Sequence, residues 1–284
     1  MNTPNTQSHL NDLHKQLVGL DSQAIRSRIR SNSYQGHTAG LASGVLQANL
    51  VIMPEEFALD FFRFCQRNPK PCPLSGVSDT GNPILHTMGQ DIDIRTDVSA
   101  YNIYRYGKLV NSTSDIVDIW QDDFVVFALG CSFTFEHAAQ RAGIKMWHIE
   151  NNTTVPMFRT DIDCVPSNRF GGKMVVSMRS ILKDQVQLVS EISAKFPLAH
   201  GAPLHVGSPE EIGIADLEMP DWGNPAPIEQ GHVPVFWACG VTPQVAIEEA
   251  QIPIIITHKP GHMLISDIDA CAENPIIQSK TKGD

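Results

Sequence analysis

The sequence predicts an α/β protein: a mainly parallel or mixed sheet flanked by helices, with a smaller α+β domain inserted into it. Three observations predict this. Residues 124–129, 235–238 and 252–257 are apolar runs rich in β-branched and aromatic residues, the pattern of strands buried on both faces. The first two lead through a small-residue turn into a helical stretch, which is half of a βαβ unit. Between them, residues 146–225 have a different texture, and a Pro/Gly-rich tract over 197–227 has little periodicity. The expected division is a core domain from residues 1–145 and 226–284, with an inserted domain over 146–225. The three runs are expected as neighbours in one sheet.

Residues 1–20 read as a lightly docked helix, and Asp21 is placed to cap a second helix over 21–30. A small-residue loop covers 36–44. Pro54 starts a helix with Glu55 and Glu56 in its first turn and Phe57, Leu59, Phe61, Phe62 and Phe64 on a buried face. Asn68-Pro69 stops it, and Pro71-Cys72-Pro73 is a stiff connector. Short strands and turns follow over 80–107. After the strand at 124–129, a helix over 134–141 closes at Gly143. The insert holds a strand at 174–178 and an amphipathic helix over 184–196, with Val186, Val189, Ile192 and Phe196 on one stripe.

The chain has 284 residues, room for one or two domains, and 42% of them are hydrophobic, so wholesale disorder is excluded. With 21 basic and 31 acidic residues the net charge is -10, which lacks the basic footprint of a nucleic-acid binder. The longest nearly unbroken apolar run, 124–135, is too short to span a bilayer. The polar N-terminus lacks a secretory pattern, so the cytoplasm is the expected compartment. Six scattered cysteines without a C-x-x-C pair argue for reduced thiols rather than disulfides or zinc. The glycosylation sequons at Asn111 and Asn151 are set aside on the same ground.

Four clusters carry candidate chemistry. Gly130-Cys131-Ser132-Phe133-Thr134-Phe135-Glu136 presents a thiol, a hydroxyl and the first N–H groups of a helix after a buried strand. Trp237-Ala238-Cys239-Gly240-Val241-Thr242-Pro243-Gln244 repeats that pattern, with Thr242 as a helix cap and Gln244 offering an amide. Thr257-His258-Lys259-Pro260-Gly261-His262 ends a strand. Its histidines have metal-ligand spacing, but Pro260-Gly261 forbids the helix that would aim both at one ion. General acid/base work is expected of one of them, and a loop metal with Asp267 is the alternative. Arg169 and Arg179 offer bidentate carboxylate binding from the insert, and His200 and His205 sit beside glycines where they line a cleft or merely end a strand.

Taken in order, the segments 41–50, 67–74, 130–136, 175–179, 200–207, 236–244 and 257–263 resemble the D-glutamate cyclase family, in its bacterial hydro-lyase branch. The resemblance covers nearly the whole chain after about residue 25. It implies loss of water from D-glutamate to give 5-oxo-D-proline, or a related reaction of a small carboxylate. No cofactor and no metal are expected, nor nucleic-acid or membrane partners. The partner is a small-molecule carboxylate, and self-association into a homo-oligomer is compatible with the sequence.

The expected catalytic residues are His258, His262, Glu136 and Cys131. Those expected to hold substrate are Ser132, Arg179, Arg169, Cys239, Thr242 and Gln244. Cys131 is expected to give position rather than covalent catalysis, because a thioester from a free carboxylate is uphill. The alternatives are a non-catalytic carboxylate sensor and an elimination-type hydro-lyase acting on a hydroxy acid.

Overall fold

The computed structural model describes residues 4–151 and 153–271; Asn152, inside the second sequon, lies outside the described residues. The chain runs α1 (Pro4–Leu17), α2 (Ser22–Arg30), β1 (Val45–Pro54), α3 (Glu55–Arg67), β2 (Leu74–Val77), β3 (Tyr101–Arg105) and β4 (Lys108–Thr113). Next come β5 (Phe124–Gly130), α4 (Phe133–Arg141), α5 (Trp147–Glu150), β6 (Met157–Asp163), β7 (Lys173–Leu182) and α6 (Val186–Ala194). The last are β8 (His205–Val206), β9 (His232–Ala238), α7 (Thr242–Ala250), β10 (Ile255–His258) and β11 (Leu264–Asp269).

The α/β class stands, but the pairing is antiparallel. Seven strands form one sheet in the order β2-β5-β1-β10-β3-β4, with β11 also on β1; four form a second, β6-β7-β9-β8. All the described ladders are antiparallel. The expected parallel arrangement is corrected by β1, which lies between β5 and β10 and which the polar Gln47 and Asn49 disguise in the sequence. The run at 235–238 is also displaced from its expected place: β9 pairs with β7 in the second sheet.

Apolar runs suggested parallel strands because they are buried on both faces, and an antiparallel sheet covered on both faces writes the same pattern. One face of the large sheet packs Leu50, Ile52, Val126 and Ile256 against Leu85, Met88 and Ile92. The other packs Val51, Phe127 and Ile255 against Phe61 and Phe64 of α3 and Ile247 of α7. Leu59 and Phe62, expected on the buried face of α3, are exposed at 59% and 42%, because only a stripe of that helix meets the sheet.

Helix α2 is capped as expected, with Asp21 accepting the Ala24 N–H at 2.7 Å. It is fixed to β11 by buried Arg26, which reaches Asp267 at 2.8 Å and Asp91 at 2.5 Å. The second sheet buries Trp237 and Ile181 against Phe135 and Ala139 of α4 and Val189 of α6. Among the described residues, no helix is long and apolar enough to cross a membrane.

Candidate active site

Strands β5 and β10 each run antiparallel to β1, so they point the same way and their carboxyl ends share one edge. The carboxyl end of β9 arrives there from the second sheet. As a result Cys131, Cys239 and His258 line one cavity of about 50 Å³, together with Ser132, Ser177 and His200. A larger cavity of about 330 Å³ lies against it, and the two share Phe133, Thr154, Val155, Pro260 and Gly261 in their walls.

The two cysteine turns are built alike. Cys131 donates its N–H to Gln47 O at 3.0 Å, and Gln47 donates back to Thr134 Oγ1 at 3.2 Å. Cys239 donates to Val175 O at 3.0 Å, and Val175 donates back to Thr242 Oγ1 at 3.0 Å. Each threonine therefore locks a helix start to a neighbouring strand. Thr242 was expected to cap α7, but its side chain makes no cap hydrogen bond and is spent on this tie, away from the cavity lining. Burial pushes the Cys131 thiol up to about 12 and the Cys239 thiol to about 11, so both are protonated at neutral pH.

The two cavity histidines are neutral and carry opposite tautomers. His258 Nδ1 lies 3.1 Å from the Leu50 N–H and 3.5 Å from Leu50 O; the shorter contact makes it an acceptor, with the ring proton on Nε2. His200 Nδ1 lies 2.8 Å from Lys70 O and must donate, which leaves a lone pair on Nε2. Burial lowers both pKa values to about 4; the Arg179 and Lys70 charges add to the effect at His200. His200 also holds a left-handed backbone, φ 75°, followed by Gly201 at φ 66°. This turn carries a cost of order 1 kcal/mol for a non-glycine residue and sets the ring against the wall.

Behind the wall sits a buried charge cluster. Arg179 reaches Glu136 Oε1 through Nη2 at 2.5 Å and Nε at 3.0 Å, and His148 Nε2 lies 3.0 Å from the same oxygen. The guanidinium also donates to Ser132 Oγ and Ser177 Oγ, both at 3.0 Å, and packs against both Phe135 and Trp237, with ring centroids at 5.3 and 5.2 Å. Burial would raise the Glu136 carboxyl, but the His148 and Arg179 charges outweigh it and hold it at about 2. Glu136, expected to act as an acid, is an ionised anchor outside the cavity lining.

The remaining expectations disperse. His262 lines the larger cavity; its Nδ1 is 2.9 Å from Ser99 Oγ, and burial holds it at about 3. Arg169 is exposed and packs over Phe57 at 5.7 Å, so it does not reach the cavity. Gln244 is buried outside the lining, and Nε2 has no hydrogen-bond partner among the described residues. Asp267 is held by Arg26 and Ser22, which removes it from any loop metal with His258. Sequence reasoning missed Asn49 and Ser177, whose only signal is a polar residue within an apolar strand, and left the role of His200 open.

The model of the family described as D-glutamate cyclase matches residues 125–267. A "Putative hydro-lyase" of Dinoroseobacter shibae is 68% identical over 254 residues, 89% of this chain and 85% of that protein. Another, of Ruegeria pomeroyi, is 63% identical over 90% of this chain and 93% of its own. This chain belongs to the D-glutamate cyclase family. A third relative, from Jannaschia sp., carries the same hydro-lyase name at 58% identity over 91% of this chain and 97% of its own. Family membership and the names of these relatives support a lyase. The matched span opens inside β5 and ends inside β11, so this D-glutamate cyclase family member takes Asn49 and its central strand from outside it.

Proposed function

We propose that this family member closes D-glutamate to 5-oxo-D-proline in the cavity at Cys131, Cys239 and His258. One observation carries the proposal: two neutral imidazoles of opposite tautomer, one with a free lone pair and one with an N–H, line the same cavity. Ring closure needs that combination. The amine nitrogen attacks the γ-carboxyl carbon, a C–N bond forms, and one C–O bond breaks. Two protons pass from nitrogen to the departing oxygen, which leaves as water, so the balance needs no co-reactant.

In this mechanism His200 Nε2 takes the two amine protons in turn and passes each to the departing oxygen, and His258 Nε2–H holds that oxygen by a donated hydrogen bond without losing its proton. The free N–H groups at the starts of α4 and α7 favour charge on the carboxyl oxygens. Because attack is intramolecular, holding the chain folded supplies a large effective molarity. A five-carbon dicarboxylate exceeds the inner cavity, so its carbon chain extends from there into the larger one, which shares the Phe133, Val155 and Gly261 wall.

The test is a ¹H NMR time course of the purified protein with D-glutamate, with L-glutamate as control. Growth of 5-oxoproline signals from the D isomer, lost in His200→Gln and His258→Gln, supports the reading. Binding of D-glutamate without product would favour a sensor, and alkene signals from a hydroxy acid would favour elimination.

A further inference from the structure

The shared tie of the two cysteine turns extends into the strands. Cα pairing sets Ala48 opposite Gly130 in one sheet and Val176 opposite Ala238 in the other. Strand β1 with β5 and α4 therefore corresponds, residue for residue, to β7 with β9 and α7. Under that correspondence Cys131 matches Cys239, Ser132 matches Gly240, and Ser177 matches Asn49. All six line the one cavity, so it lies between two equivalent half-sites.

The halves differ in charge. Arg179 and Glu136 stand behind the first half; their counterparts are Val51 and Gln244. In the charged half, Ser132 and Ser177 are 6% and 1% exposed, and each oxygen already accepts an N–H from Arg179. Among the described residues neither hydroxyl donates to a protein group. Each is therefore a buried, cation-polarised donor with its proton left for whatever fills the cavity. In the other half, Asn49 spends its amide N–H groups on Leu129 O at 3.2 Å and Gly130 O at 3.0 Å. Its Oδ1 has no protein donor among the described residues and faces the cavity as an acceptor.

We infer that the substrate binds in one orientation: its α-carboxylate on Ser132 and Ser177, and its γ-carboxyl in the Asn49 and Gly240 half. The inference rests on the reaction proposed above and adds to it which end lies where. Two donors backed by a guanidinium suit a carboxylate that stays ionised throughout. A carboxyl that must lose oxygen as water has to gain protons, which a cationic donor pair opposes. An acceptor such as Asn49 Oδ1 instead stabilises the protonated carboxyl by taking its O–H.

The experiment compares D-glutamate with its γ-amide, D-glutamine, and its α-amide, D-isoglutamine, by thermal shift and by turnover. Wild-type protein is expected to bind D-glutamate and the γ-amide, and the α-amide at least about tenfold more weakly. Ser177→Ala should raise KM for D-glutamate about tenfold with kcat little changed, and should erase the preference over the α-amide. Ser132→Gly, which copies the other half, gives the same pattern if Ser177→Ala folds poorly. An α-amide bound as well as D-glutamate, or serine variants that alter kcat and leave KM alone, would overturn the orientation. The binding arm decides this even if no product forms, whereas absence of product from D-glutamate overturns only the reaction.

Discussion

A single oxygen, Glu136 Oε1, accepts two N–H groups from Arg179, at 2.5 and 3.0 Å, in a site where both side chains are almost wholly buried. One carboxylate thus fixes the guanidinium whose other N–H groups hold Ser132 and Ser177. Removing it strands a cation in a low-dielectric interior. Glu136→Ala is expected to cost about 3–5 kcal/mol, and Glu136→Gln somewhat less because an amide oxygen still accepts. Urea melts of both variants check this, and a midpoint within error of wild type would show that the pair is not a structural anchor.

Arg179→Lys keeps the charge and loses the fork. One ammonium cannot reach Glu136, Ser132 and Ser177 together, so KM should rise more than kcat falls, alongside a lower melting temperature. Steady-state kinetics well below that temperature separate the two effects.

Stability should fall as pH drops below neutrality. His37, His200 and His258 titrate at about 4 in the folded chain, and His262 at about 3, against 6.5 when unfolded. The unfolded chain therefore binds more protons between these values, and the loss accrues from about pH 6.5 down to about 4. Glu136 adds to it lower down: its contribution is present above 4.5 and lost as pH falls toward 2. Melting temperatures from pH 8 to pH 4 should be flat above 6.5 and slope below it, with a shallower slope in His258→Gln.

Turnover should depend on His258 and His200 far more than on His262. Loss of either cavity imidazole is expected to lower kcat about 10²–10⁴-fold. His262→Ala, one cavity away, should act mainly on KM. Equal losses in all three variants would count against this division.

Cysteine chemistry should be silent in the site. Cys271 is exposed, whereas Cys65, Cys72, Cys131, Cys164 and Cys239 are buried, so a thiol reagent should label Cys271 in the folded chain well before any of those five. Cys131→Ser is expected to retain measurable turnover, and an acyl-thioester trapped on Cys131 by mass spectrometry would refute this.

The strand ends that carry the chemistry were legible because a buried strand, a small-residue turn and a helix leave a local signature. Cys131, Ser132 and Cys239 were found that way and His258 as the end of a buried strand, and the structure brings them together. What was not legible is non-local. Gln47 and Asn49 break the apolar run of β1 because the Gln47 amide holds the Thr38 and Leu41 carbonyls of the preceding loop and Asn49 lines the cavity. Arg169 and Arg179 look alike in sequence, each beside a strand or turn of the second sheet. Only burial separates them: one is sealed in the interior against Phe135 and Trp237, and the other lies on the surface over Phe57.

The place of β1 sets the timing of assembly. It emerges early in the chain, but one of its two edges waits for β5 and the other for β10 and β11, the last two near the described C-terminal end. Contacts this far apart in sequence make folding slow, because long loops must close before the pairing rewards them. During synthesis a nascent chain that has made both cysteine turns still lacks His258 and the strand that seats it. The cavity is thus complete only at the last step, and until then β1 keeps one unpaired edge that a chaperone would have to shield.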